Sequence, residues 1–304
     1  MRRKIYLTII SVLSLFIGLA TYVNIVPYPT FSKSVNIKEN SLFFDVNEGK
    51  KLALTTCFQC HYNYEQNALS GRQHGNPKRL GDFHSPNITQ DKKTGIGSWT
   101  NEELYLLFRT GIKKDGTVVF DMPKYPLLSE YDIQSLIAFL RSDDPLVRPA
   151  KKHTPSPSYS LVTKVYIHFL LKPEPLPNYF IQHPDTNNLF QFGKYLVDAK
   201  YSCFDCHSRN SITNNYSYPE KSLGYLKGGN RHANENREII YSPSIINIAN
   251  SNNLGYKEDE FYVLITNGIK KNGDAVKDPM FPYSLLNRKE TNAIYEYLNK
   301  CCDD

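Results

Sequence analysis

Two pentapeptides carry the residue types with the most chemistry per position: Cys57-Phe58-Gln59-Cys60-His61 and Cys203-Phe204-Asp205-Cys206-His207. Both fit C-x-x-C-H, the attachment sequence for haem c. Cysteines three apart on a helical turn point the same way and can bond the two former vinyl groups of one porphyrin. The histidine that follows is then carried beneath the ring as an axial ligand to iron. Two other chemistries use the same residues. Cys57, Cys60, Cys203 and Cys206 could form a Cys₄ zinc site, but the pairs lie far apart in the chain, whereas such sites close short loops. A dithiol–disulfide oxidoreductase also uses C-x-x-C, yet gives no reason for a histidine after each pair.

Apart from Met1 the chain has two methionines: Met122, 61 residues after His61, and Met280, 73 residues after His207. A single methionine is usually core filler. Two at matching places, each set among prolines and aromatics (Met122-Pro123-Lys124-Tyr125-Pro126 and Pro279-Met280-Phe281-Pro282-Tyr283), point to thioether ligation on a stiff loop. Histidine with methionine fills both axial positions and raises the reduction potential, which suits electron transfer and leaves no open position for oxygen or peroxide. The iron ligands expected are therefore His61, Met122, His207 and Met280, and the cofactors two haem c groups.

The elements that must position these residues come from an internal repeat. Ser85-Pro86-Asn87-Ile88 recurs as Ser242-Pro243-Ser244-Ile245, and Gly111-Ile112-Lys113-Lys114-Asp115-Gly116 as Gly268-Ile269-Lys270-Lys271-Asn272-Gly273, both 157 positions on. Gly49-Lys50 matches Gly193-Lys194 at 144 and the cysteine pairs match at 146, so the second copy carries insertions of two and then eleven residues, read as loops. Thr100 with Glu103 forms a capping box before Leu104, Leu107 and Phe108, and Gly111 supplies the stop. Phe261, Leu264, Ile265 and Gly268 answer it. Last helices start at Ser129 and Asn287, each with an acidic residue three positions on, Asp132 and Glu290. No strand alternation is strong enough to predict a sheet. The expected fold is mainly α, two units of 43–144 and 187–300 in tandem.

Eight prolines between 145 and 186 break the chain and predict a linker. Inside it Leu161 to Leu171 is apolar and too short to span a bilayer; it either packs across both units or lies on the membrane surface. The segment Ile5 to Val26 is nearly uncharged and long enough to cross a membrane, and Arg2, Arg3 and Lys4 before it favour the cytoplasmic side. Residues 1–27 thus read as an anchor, with a cleavable signal at Gly18-Leu19-Ala20 as the competing reading. Either way the remainder is exported, to the outer, periplasmic face of the inner membrane. Net charge is +6; without the three flanking cations 33 basic residues face 30 acidic ones, which excludes a nucleic-acid partner.

The other histidines are His74, His84, His153, His168, His183 and His232. His74, His84 and His232 follow the C-x-x-C-H motifs and are alternative ligands. Trp99, aligned with Tyr256, either covers a haem edge or packs in the core. Arg109 is a candidate haem propionate partner in the first unit only, since Thr266 replaces it in the second. Cys301 and Cys302 lack a histidine and are expected as free thiols or links to a partner, because adjacent cysteines rarely bridge.

The run Ser85 to Thr89, Thr94 through Thr100, and Arg109-Thr110-Gly111-Ile112, with the first motif and Met122, resembles cytochrome c domains of the cytochrome subunits of bacterial alcohol and gluconate dehydrogenases. The second unit keeps that frame more loosely. The resemblance implies class I-like cytochrome c domains and electron transfer from a dehydrogenase or quinol-linked donor towards the respiratory chain, with a dehydrogenase, terminal oxidase or soluble cytochrome as redox partner. Those subunits usually hold three haems, whereas two motifs are present here. The rival readings are a di-haem peroxidase, which needs an open iron and so conflicts with paired methionines, and a di-haem subunit of a terminal oxidase.

Overall fold

The computed structural model describes residues 2–32, 44–74, 78–234, 238–250 and 254–302; of Arg2, His74 and Lys78 only the backbone is described. Phe43, where the first unit was expected to open, lies outside them.

Helix α1 (Arg2–Ile25) takes up the apolar N-terminal run as far as Ile25 and leaves almost all of it exposed. Helix α2 (Val46–Leu52) runs through a π turn at Ala53–Cys57 into α3 (Phe58–His61), so the first cysteine pair closes a continuous helical segment. A short hairpin follows, β1 (Gln73–His74) with β2 (Gly81–His84), then α4 (Asn101–Thr110) and α5 (Glu130–Leu140). The capping box of Thr100 and Glu103 opens α4, and Gly111 closes it at φ 80°. Only glycine enters that left-handed region without strain.

The segment between the halves is packed rather than loose. Val147 is fully buried, with its carbonyl accepting from Gln90 N at 2.9 Å. Strand β3 (Ser158–Tyr159) adds to β2, and α6 (Leu161–Phe169) buries Ile167 beside Leu106, Ile112 and Val118. Proline removes amide donors but leaves carbonyls and apolar rings able to pack.

Past the prolines the first order returns. Helix α7 (Leu189–Tyr195) passes through a π turn at Leu196–Lys200 to α8 (Cys203–His207), followed by a hairpin and two further helices. These are β4 (Arg231–Ala233), β5 (Ile239–Tyr241), α9 (Glu258–Asn267) and α10 (Arg288–Lys300). In each half the helix before the cysteine pair crosses the last helix at a glycine. A Cβ on Gly49 would lie 1.9 Å from the Ser135 carbonyl oxygen, and one on Gly193 would lie 1.9 Å from that of Ala293. Two helix backbones meet there with no room for a side chain, which explains the glycine of the repeated Gly-Lys pair.

The expected absence of sheet is corrected: the strands are two to four residues long, too short for alternation to register. Cys301 and Cys302 are joined to each other, where free thiols or a link to a partner were expected. Cys301 caps α10 in helical conformation, its N–H donating to the Tyr297 carbonyl, and Cys302 follows it.

One apolar core runs through both halves, from Leu52 and Leu136 to Leu196 and Ile294. Polar contacts reinforce it reciprocally. Lys51 donates to Glu290 at 2.7 Å and Lys200 to Asp132 at 2.8 Å, each lysine reaching the third residue of the other half's last helix.

Candidate functional site

The π turn and α3 together present Cys57, Cys60 and His61 to a cavity of about 550 Å³ also lined by Pro86, Trp99, Met122 and Tyr125. That volume lies within the range of cofactor pockets, roughly 300–1,000 Å³, and its walls are largely apolar. Residues 61 positions apart in the chain thus meet around one space.

The His61 ring is fixed from behind. Its Nδ1 lies 2.8 Å from the Pro86 carbonyl oxygen, which can only accept. The proton must then sit on Nδ1, leaving Nε2 as the lone-pair nitrogen suited to a metal. His207 repeats the arrangement on the Pro243 carbonyl at 2.9 Å. Gly71 N donates to His61 O at 2.8 Å and Gly228 N to His207 O at 2.7 Å, so the loop behind each ring is pinned alike. The repeated Ser-Pro pair is visible in the sequence. Its role is not, because the acceptor is a backbone carbonyl.

The methionine loops are tied down at matching points. Tyr125 N donates to Phe108 O and Tyr283 N to Ile265 O, both at 2.7 Å. Each tyrosine stands three residues past its methionine, so this register aligns Met122 with Met280. Burial first, then the Cys57 and Cys60 thiols, push the Tyr125 hydroxyl up; burial, then Cys203 and Cys206, do the same to Tyr283. Both methionine loops therefore run against their own cysteine pair. Met122 and Met280 are half-buried and pack on the shared core.

Burial also pushes the Cys57 thiol up to about 11 and the Cys203 thiol up to about 12. A dithiol oxidoreductase or a thiolate–zinc site needs the opposite shift. Among the described residues no three His, Cys, Asp or Glu side chains converge as a metal cluster, so the four cysteines do not share one zinc. A neutral, half-buried thiol pair beside an apolar cavity, with a tautomer-fixed imidazole, fits covalent haem attachment.

Arg109 does not face this cavity. It is fully buried and donates to the carbonyls of Pro126 (3.1 Å) and Leu128 and to Glu130 (2.8 Å), clamping the chain beyond Met122. The propionate role expected for it is corrected: its Nη1 and Nη2 are both engaged by acceptors inside the protein. The cavity lining instead includes Lys93, Lys113 and Lys114, to which motif and spacing assign no role. Trp99 lines the cavity and packs on the core as well. His232 turns to the Cys206 carbonyl at 3.3 Å.

The eleven-residue insertion falls between His207 and Leu226. It brings Tyr216 against Phe204, ring centroids 5.6 Å apart, and beneath Lys124 of the first half, 5.8 Å from the ring centroid.

Residues 46–143 match the family model described as cytochrome c. They are a cytochrome c domain, and such a domain holds haem c through its C-x-x-C-H motif. Among relatives, the cytochrome c subunit of alcohol dehydrogenase (quinone) from Gluconacetobacter polyoxogenes is 27% identical over 235 residues, which is 73% of this chain and 48% of that one. The fructose dehydrogenase cytochrome subunit of Gluconobacter japonicus is 27% identical over 188 residues, 60% of this chain and 38% of its own. The gluconate 2-dehydrogenase cytochrome c subunit of Pantoea cypripedii is 28% identical over 175 residues, 55% and 39%. The chain is thus similar to cytochrome c subunits of bacterial dehydrogenases, and it spans less than half the length of each of these relatives.

Proposed function

We propose that this chain relays electrons through two haem c groups, one in each half, between a dehydrogenase or quinol-linked donor and the respiratory chain. The observation that carries the reading is the duplicated imidazole geometry: two C-x-x-C-H turns, each with its histidine Nδ1 held by the carbonyl of a repeated proline. The tandem units of 43–144 and 187–300 are then two class I-like cytochrome c domains. Haem c iron, when bound, supplies a one-electron couple between ferric and ferrous states. The chain's part is to hold it. Cys57 and Cys60, and Cys203 and Cys206, would form the thioether links. His61 and His207, through Nε2, and Met122 and Met280, through their thioether sulfurs, would be the groups that ligate the iron. The apolar walls keep water from the first site and favour the less charged, reduced state.

The shared core supports a fixed spacing between the two sites, which electron exchange requires. Helix α1, apolar over Arg3–Ile25, supports an anchor in the inner membrane with the haem domains on its outer side.

The test is a haem count by pyridine haemochrome with an optical redox titration and a peroxide-turnover assay on the same purified sample. Two low-spin haems and no turnover are expected. One haem per chain would remove the second site, and a high-spin haem that reduces peroxide would replace the relay by an enzyme.

A further inference from the structure

Helix α6 exposes apolar side chains on its outer side. Its inner side buries Thr163, Ile167 and His168, while Val162, Phe169 and Leu170 stay 71%, 48% and 65% exposed. Val162, the half-buried Val165 and Phe169 recur at i, i+3 and i+7 and so share a face. A surface helix bathed in water carries polar residues on such a face; an apolar one is covered by protein or by lipid.

What α6 packs against says which. It sits on the last turn of α1. The Tyr22 ring stacks on Phe169 with centroids 5.7 Å apart and meets His168 edge-on at 5.6 Å. Lys164 Nζ donates to Asn24 Oδ1 at 2.6 Å, and Val23 is buried, the one α1 residue besides the half-buried Ala20 that escapes full exposure among those described. If α1 crosses the membrane, Tyr22 to Asn24 mark the depth at which hydrocarbon gives way to headgroups, the level where tyrosine concentrates. A helix locked to that turn is held at the same depth. Its nine residues span only about 14 Å, so it cannot cross and must lie in the plane.

We infer that α6 is an interfacial helix whose Val162, Phe169 and Leu170 are immersed in the headgroup–acyl boundary of the bilayer. The occupant of this apolar face is lipid. The inference rests on the anchor reading of α1 and adds a second contact that sets how the first half stands on the membrane. The chain beyond α1 continues the tie: Thr30 bridges Thr117 and Phe31 N donates to Gly116 O at 2.8 Å, joining the membrane end of α1 to the loop that supplies Lys113 and Lys114 to the first cavity. Membrane, α6 and the first cavity are thereby fixed to one another.

The experiment is photolabelling of the haem-loaded full chain in vesicles of phosphatidylethanolamine and phosphatidylglycerol. The vesicles contain a phospholipid with a diazirine near its glycerol end, and the adducts are mapped by mass spectrometry. Adducts are expected in 2–25 and in 161–171. A double variant, Phe169→Glu with Leu170→Glu, should lose labelling of 161–171 several-fold while 2–25 stays labelled and the visible spectrum is unchanged. Adducts confined to 2–25 would overturn the interfacial role of α6 and leave the anchor standing. Absence of adducts in both segments would overturn the anchor reading itself.

Discussion

Lys200 Nζ lies 2.8 Å from Asp132 Oδ1, and both residues are almost wholly buried where the two halves of the molecule meet. Burial alone would raise the Asp132 carboxyl; the Lys200 charge and hydrogen bond, with the Tyr195 hydroxyl, outweigh it and hold the group below its ordinary value. With Lys51 and Glu290 mirroring the contact, the halves are joined by exchanged ion pairs at the starts of their last helices.

Lys200→Met should leave the Asp132 carboxylate buried without its cation, at a cost of about 3–5 kcal/mol. The sign of the pH effect follows from the depressed carboxyl. Its stabilisation is present in full above the unfolded value of about 3.9 and is lost as pH falls through the lower folded value. The natural protein should therefore lose Tm steeply on acidification below about pH 4, and the variant should lose less because its unpaired carboxylate gains from protonation. Thermal melts across the acid range check this; parallel curves would show that the pair contributes nothing to acid sensitivity.

Met122→Ala and Met280→Ala should each convert one haem to high spin and lower its potential, leaving the other unchanged. The readout is the sulfur-to-iron charge-transfer band of the oxidised protein, expected to fall by about half in either variant and to vanish in the double variant. Two haems still low-spin in both single variants would reassign the sixth ligands, with His84 or His232 next in line.

The motifs, the paired methionines and the order of helices were legible because each depends on residue type and spacing. The capping residues Thr100, Ser129 and Asn287 likewise announce themselves, since only short polar side chains reach the orphan amides. The Pro86 and Pro243 carbonyls that orient the histidines were not, because every residue has a carbonyl and only the fold decides where it points. Arg109 was misread for a related reason: a guanidinium near a cofactor motif has many possible acceptors, and three of its actual ones are backbone. The prolines between 145 and 186 do forbid long helices there, yet Val147 and Ile167 show that a broken chain can still bury its apolar side chains.

Gly49→Ala and Gly193→Ala should each destabilise the half that contains them by about 1–3 kcal/mol, because the new methyl would meet a carbonyl oxygen of the crossing helix at 1.9 Å. The better helix propensity of alanine, about 1 kcal/mol, works in the opposite direction and is too small to offset the clash. Scanning calorimetry of each variant against the natural chain measures the balance. A Tm that rises would mean the helices separate freely, and the tight crossing would then have no part in stability.

Arg109→Met should act on the first site and spare the second. The change removes the clamp on Pro126, Leu128 and Glu130 and leaves the Glu130 carboxylate and the carbonyls short of a donor, at a cost of about 3 kcal/mol or more. Because those carbonyls anchor the chain that follows Met122, the loosened loop should let the methionine leave its place part of the time. The expected sign is a fractional high-spin signal from one haem, while the haem beside Met280 stays low-spin, since Thr266 takes the arginine's place there and bonds only within its own neighbourhood. Arg109→Lys should fail to restore the spectrum, for an ammonium cannot serve several divergent carbonyls as the planar fork does. If both haems changed together, the effect would be general loosening of the shared core, and Arg109 would lose its role in holding the Met122 loop.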